Sequence, residues 1–224
     1  MRIEVGNLPE VQHVLQNLAS EQIPYAISVA INNTCYKVMQ GERAEIKNAF
    51  DRPTPFVVRG IRYEKSSKRN LTARVYAAET TRKVFEAHVF GGNRGIKTFE
   101  GIMRRLGILP DGRFVVTASG SKLNAYGNIQ HKQLNNILDA LPELANRGSS
   151  GVYFLGNRTG HTRHLPMGIW ERKGRRIVPV LLFVSQPTYE KRYNFYEIGI
   201  EIANNVMGAE MLKAAEKAIE RARR

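Results

Sequence analysis

The sequence predicts an α+β fold, a mostly antiparallel sheet flanked by a long N-terminal helix and a C-terminal helix. Three observations predict it. Ile169-Trp170-Glu171 and Ile177–Val184 are β-branched or aromatic runs joined by Arg172-Lys-Gly-Arg-Arg176, and a short Gly-centred link between two such runs signals a hairpin. A second pair, Ile61–Lys65 and Leu71–Ala77, alternates apolar and polar around the basic loop Ser66-Ser-Lys-Arg-Asn70. Apolar residues recur at helical spacing from Val11 to Val38 and from Phe195 to Ile219. Strand pairs in mid-chain with helices outside them read as α+β in one domain, residues 1–224.

In chain order, Asn7-Leu-Pro-Glu10 carries the cap, the first-turn proline and the reciprocal glutamate of a capping box. Val11, Val14, Leu15 and Leu18 follow; Pro24 interrupts, and Ile27, Ala30, Ile31, Thr34 and Val38 resume the period. The reading is one kinked helix or two consecutive helices reaching about Phe50. Its apolar stripe is narrow and suits packing on a sheet and on a neighbour. Phe50-Asp-Arg-Pro-Thr-Pro55 ends it, because neither proline continues a helix and each restricts its predecessor. Thr54-Pro55 then caps a short turn through Gly60.

Beyond the first hairpin come Val84–Phe90, a break at Gly91-Gly-Asn-Arg-Gly95, and a helix over Ile96–Leu106 with Phe99, Ile102, Met103 and Leu106 on one side. A turn at Leu109-Pro-Asp-Gly112 leads to a short strand, Phe114–Val116. Residues 117–128 are loop. A helix over Ile129–Leu141 buries Leu134, Ile137, Leu138 and Leu141, and Val152–Leu155 is a strand joining the 168–184 hairpin. In that hairpin Ile177–Val184 is apolar at nearly every position and reads as buried on both faces. Pro179 inside it demands an edge or a bulge. Asn194 and Glu197 start the closing helix, with Phe195, Ile198, Ile202, Ala203 and Val206 inward, continued by Leu212, Ala215 and Ile219.

Composition speaks to partners more than to fold. The 224 residues hold 34 Lys+Arg against 20 Asp+Glu, a net charge of +14, and the pI is about 10.1. Nucleic acid, an acidic protein or an anionic membrane each supplies the counter-charge. Cys35 is the single cysteine, so no internal disulfide forms, and its apolar neighbours read it as buried. Met1–Glu10 lacks the apolar core of a signal peptide, and Val178–Val184 is too short to span a bilayer. Cytoplasmic synthesis without a membrane role is the expectation.

Chemistry is harder to find. The G-x-x-x-x-G-K-[ST] phosphate loop and the G-x-G-x-x-G turn are absent. His161 and His164 offer two metal ligands with no third nearby. His13, His88 and His131 stand alone, and Ser119 and Ser121 lack a nucleophile elbow. No catalytic, cofactor or metal residues are assigned. Charge in loops remains. Residues 156–176 carry Arg158, Arg163, Arg172, Lys173, Arg175 and Arg176 against Glu171, a net of +5. The first hairpin tip adds Lys68 and Arg69. These eight are the candidate contacts for DNA or a protein partner, and contacts to nucleic acid would go to backbone phosphates. Tyr189-Glu-Lys-Arg-Tyr193, between a proline and a capped helix, is a further candidate assembly contact.

The long N-terminal helix, the Phe50–Pro55 break, the Lys/Arg-rich hairpin and the Gly-Ile-Trp-Glu-Arg…Pro-Val-Leu-Leu-Phe-Val…Tyr-x-Lys-Arg-Tyr-x-Phe block together resemble the minor tail protein Z (tail-completion) family of lambda-like phages. The resemblance covers most of the chain through weak, distributed motifs. It implies a non-enzymatic head–tail connector protein of the virion, assembled in the host cytoplasm. It also implies a homo-oligomeric ring, contacts with other phage neck or tail proteins, and passing genomic DNA. Residues 91–146 match nothing in that pattern and are read as an insertion specific to this branch. Two other classes compete: a sequence-nonspecific DNA-binding protein gripping through 156–176, and an enzyme such as a nuclease, for which a carboxylate or metal constellation is missing.

Overall fold

The two prolines of Phe50–Pro55 divide a long helix from a hairpin in the computed structural model, which describes residue 16 and residues 21–158 and 160–222. The expected capping box and stripe over 7–18 lie outside the described residues, as do Arg223 and Arg224. Helix α1, Ile23–Ala49, has Pro24 in its first turn and stops where Phe50 becomes extended. Thr54 caps α2, Pro55–Val58, by accepting the Val57 N–H. Strands β1, Ile61–Glu64, and β2, Arg74–Ala77, pair antiparallel with Ile61 opposite Ala77.

After these come α3, Glu79–Val89; β3, Gly92–Asn93; α4, Thr98–Arg105; β4, Phe114–Thr117; and α5, His131–Arg147. The chain closes with β5, Tyr153–Gly156; β6, Gly168–Lys173; β7, Arg176–Val184; β8, Thr188–Tyr189; and α6, Phe195–Ala222. All strand pairs are antiparallel. The α+β class, antiparallel pairing and a long helix toward each end are as the sequence predicts.

The chain gathers into two compact units, Met1–Phe85 with Arg192–Arg224, and Glu86–Lys191. The second is built on a four-stranded sheet in the order β4-β7-β6-β5. The segment 91–146 supplies β4 and α5 to this unit, and Val115, Ile137, Leu141 and Leu144 join Ile169, Val180 and Leu181 in its core. The β6–β7 turn is Gly174-Arg175, with Lys173 opposite Arg176. Gly174 takes φ 62° while Arg175 stays negative, the backbone pattern of a II′ turn that matches strand twist.

Pro179 resolves as a bulge. Strand β7 lies between β4 and β6, and its register slips so that Ile169 faces Leu181 but Trp170 faces Pro179. The extra residue lets the neighbours Val180 and Leu181 both be buried. The proline needs no ladder donor there, and its carbonyl accepts the Gly120 N–H at 2.8 Å. Burial on both faces fails at the start of β7, where Ile177 is 45 % exposed beside the turn.

Three other boundaries differ from expectation. Helix α5 starts at His131 and runs through Pro142 to Arg147, stopping at Gly148 in the left-handed region, φ 74°. Leu106, placed inward by the period, is exposed because α4 has ended before it. In α6 the buried line after Val206 is Glu210, Ala214 and Ala218, whereas Leu212 is 69 % exposed and Ala215 and Ile219 are also outside.

That last shift has a cause in the first unit. Helices α1 and α6 run antiparallel, and Ala26 and Ala30 of α1 pack against Ala214 and Ala218 of α6. Small residues on both sides allow close approach, and larger ones are pushed to the flanks. Further along, Gly41 lies so close to Ile202 that a Cβ would collide with it. Accordingly, Ala214→Leu should destabilise the protein by about 1–3 kcal/mol through overpacking. Leu212→Ser should change stability by less than about 0.5 kcal/mol. Urea unfolding followed by circular dichroism checks both.

Candidate functional site

The basic residues of 156–176 do not form one patch. Arg158 and Arg163 lie in the connection that leaves β5 at Gly156 and enters β6 at Gly168, whereas Arg175 and Arg176 adjoin the turn at the other end of β6. A six-residue strand puts roughly 17–20 Å between those ends. Sequence adjacency hid this, because the window contains the strand that separates its two halves.

Half of the six are occupied internally. Arg158 donates to the Leu144 and Ala145 carbonyls at 2.9 and 2.8 Å, closing the C-terminus of α5. Arg172 donates to Ser149 Oγ and the Gly151 carbonyl, and its guanidinium stacks 4.3 Å from the Phe154 ring centroid. Lys173 sits 3.6 Å from Glu171. Arg163, Arg175 and Arg176 are exposed. In the first unit, Lys68 pairs with Glu21 while Arg69 is exposed. Their loop is held on α1 by Asn32, which accepts the Ser66 N–H at 2.8 Å and donates to the Ser66 carbonyl at 3.1 Å.

Tyr193, expected as an assembly contact, is 1 % exposed. Phe50, Phe85 and Phe195 each put a ring centroid within 6 Å of its own. Its hydroxyl donates to Glu42 Oε2. Cys35 is half-buried, not core, and burial raises its thiol pKa. Among the described residues, no group of three or more His, Cys, Asp or Glu is placed to hold a metal ion. No described helix is long and apolar enough to cross a membrane.

Three buried glutamates were missed by sequence reasoning. Glu100 is the most fully bonded: it accepts Arg94 on both oxygens, at 2.8 and 2.6 Å, the Lys97 N–H at 2.8 Å and the Val115 N–H at 2.7 Å. By accepting the Lys97 N–H it answers one free donor at the α4 N-terminus, as the glutamate of a capping box does, and the Val115 bond ties it to β4. The visible signal was its position three residues after Lys97, ahead of an apolar run. Glu210 of α6 accepts Asn33 at 2.9 Å and Lys37 at 2.7 Å from α1, and these bonds lower its pKa.

Glu42 has no such support. It is 0 % exposed, and among the described residues Tyr193 is its one hydrogen-bond partner and Oε1 has none. It lies at the base of an apolar groove of about 450 Å³ whose walls include Ile31, Val38, Leu71, Val75, Ile200 and Met207. Burial is the main cause that pushes its carboxyl up to about 7, against the smaller lowering effect of the Tyr193 bond. Burial, reinforced by the Glu42 bond, also raises the Tyr193 phenol. A glutamate amid Val38, Met39 and Ile46 breaks the stripe of α1, the signal that marks it.

Compared with models of known protein families, with curated proteins and with solved structures, the chain matches none.

The two carboxyls titrate in opposite senses. Burial also acts against the Glu100 charge, but Arg94 and the two N–H groups outweigh it and hold this carboxyl down to about 2 from 4.5. Its stabilisation is complete above pH 4.5 and is lost as pH falls through 2, on the order of 3 kcal/mol. Glu42 is raised from 4.5 to about 7, so its contribution is complete below 4.5 and is lost as pH rises through 7, on the order of 3 kcal/mol. Hydrogen exchange across this range should show the second unit weakening in acid and the first weakening toward neutrality. Glu100→Gln should abolish the acid effect and Glu42→Gln the neutral one.

Proposed function

We propose that the protein is a structural component of a bacteriophage neck or tail. It acts as an assembly adaptor of the tail-completion kind, through subunit interfaces and without turnover. The observation that carries this reading is the apolar flank that α6 leaves uncovered. Tyr196, Ile200 and Met207 open on the groove beside α1, and Leu212 and Ile219 are exposed farther along. Ile219 and Met211 line a second apolar recess with Ile23 and Ile27. Large apolar side chains in this density along one helix pair mark an interaction surface. The phage assignment, the ring and the virion location rest on the resemblance of the long helix and the 168–195 block. The charge of +14 favours acidic partners or DNA.

Light scattering on a gel-filtration column tests the reading. A multimer is expected, and Ile200→Glu with Leu212→Glu should yield a monomer of unchanged helix content. A wild type that is monomeric at every concentration, and is missing from particles by mass spectrometry, contradicts it.

The competing reading, sequence-nonspecific DNA binding, has one observation in its favour. Arg175 and Arg176 stand exposed at the β6–β7 turn, with no side-chain hydrogen bond or ion pair among the described residues. Two phosphate contacts give a salt slope near −1.8, so affinity should fall only about tenfold between 50 and 200 mM salt. A fall of about that size, with loss of binding in Arg175→Ser/Arg176→Ser, would favour the DNA reading over assembly.

A further inference from the structure

The groove beside α6 has one charged residue, Glu42, and one side-chain oxygen at its base without a partner, Glu42 Oε1. A buried oxygen left without a donor is unfavourable, yet two features keep it that way. Gly199 faces it: a Cβ there would stand 3.2 Å from Oε1 and 3.6 Å from Val38 Cγ1. Glycine inside a 28-residue helix is, after proline, the residue least suited to it, and here it keeps away from the carboxyl a methyl group that would crowd Oε1. Arg43, next in sequence, turns away and donates to the Ile61 carbonyl at 2.7 and 3.2 Å. The charged neighbour acting on Glu42 is another acid, Glu45. No cation of the described chain answers this carboxyl.

We propose that the groove is a binding site for a primary aliphatic amine, filled in the assembled protein by a lysine of a second copy of this chain. The fit follows from chemistry. An aliphatic stem matches the walls formed by Val38, Leu71, Ile200 and Met207. An ammonium tip supplies both the donor that Oε1 lacks and the counter-charge, through a single point contact. The planar fork of arginine is matched best by two acceptors side by side, and Oε2 already accepts from Tyr193. A second copy is favoured as the source because the chain carries 34 Lys+Arg and a net +14, while this groove holds an acid alone. That part rests on the self-association proposed above.

The full-length protein, labelled with ¹³C at glutamate carboxyls, is titrated with n-hexylamine and with 1-hexanol at neutral pH. The amine should bind at least ~10-fold more tightly than the alcohol, the effect of one buried charge-assisted hydrogen bond, and should shift the Glu42 signal. Glu42→Gln should erase the preference, and Gly199→Ala, which crowds Oε1 without removing the carboxyl, should reduce it. Equal binding of amine and alcohol overturns the site. Light scattering reads the second part: Glu42→Gln should weaken self-association by ~10-fold or more. Unchanged self-association with a clear amine preference overturns the lysine of a second copy and leaves the amine site standing. A strictly monomeric wild type overturns both that lysine and the assembly reading, while the amine titration still reads the site.

Discussion

A fully buried glutamic acid, bonded among the described residues to a single phenol, sets the terms for the first unit. Glu42 and Tyr193 join α1 to the residues just before α6. Around the phenol, Phe50, Phe85 and Phe195 exclude solvent. The aromatic cluster therefore collects the end of α1, the body of α3 and the entry to α6 at one point. Away from it, the helix pair is held by small residues and by the polar tie of Glu210 to Asn33 and Lys37. Such a pair approaches closely but buries little apolar area per turn, and so its larger side chains lie on the flanks. The uncovered flank and the unsatisfied carboxyl are two results of the same arrangement.

The second unit uses the opposite solution. Glu100 is as deeply buried as Glu42, but an arginine and two main-chain N–H groups surround it. The carboxylate stays charged, and it replaces water for the first turn of α4 and the start of β4. Buried charge is tolerable when its lone pairs are all answered.

Part of the basic character is structural. Arg43, Arg94, Arg104, Arg158 and Arg172 all donate to main-chain carbonyls of Ile61, Val115, Arg113, Leu144 or Gly151. A planar guanidinium with five donors suits carbonyls at helix ends and turns. Part of the excess of Lys+Arg thus satisfies the fold itself, and the contacts free for phosphate are fewer than a charge count implies.

The α+β class, both hairpins, the Phe50–Pro55 break and the cap on Thr54 were legible in the sequence, because each depends on residues within a few positions of one another. Periodicity found α1 and α6, but it misplaced the inner line of α6 beyond Gly208. There Leu212 and Ile219 fit the period as well as Ala214 and Ala218 do, and only the closeness of α1 selects the alanines. The basic window was legible as composition, yet its division by β6 and the internal bonds of Arg158 and Arg172 depend on strand pairing. Of the candidate site, Glu42 was visible as an interruption of an apolar stripe, while Tyr193 lies 151 residues away from it in sequence. The sequence by itself determined the local elements, through backbone preference and side-chain spacing. Tertiary structure alone decided which acids are buried, which cations remain free and which apolar face is left open, because those follow from the partner that folding brings to each side chain.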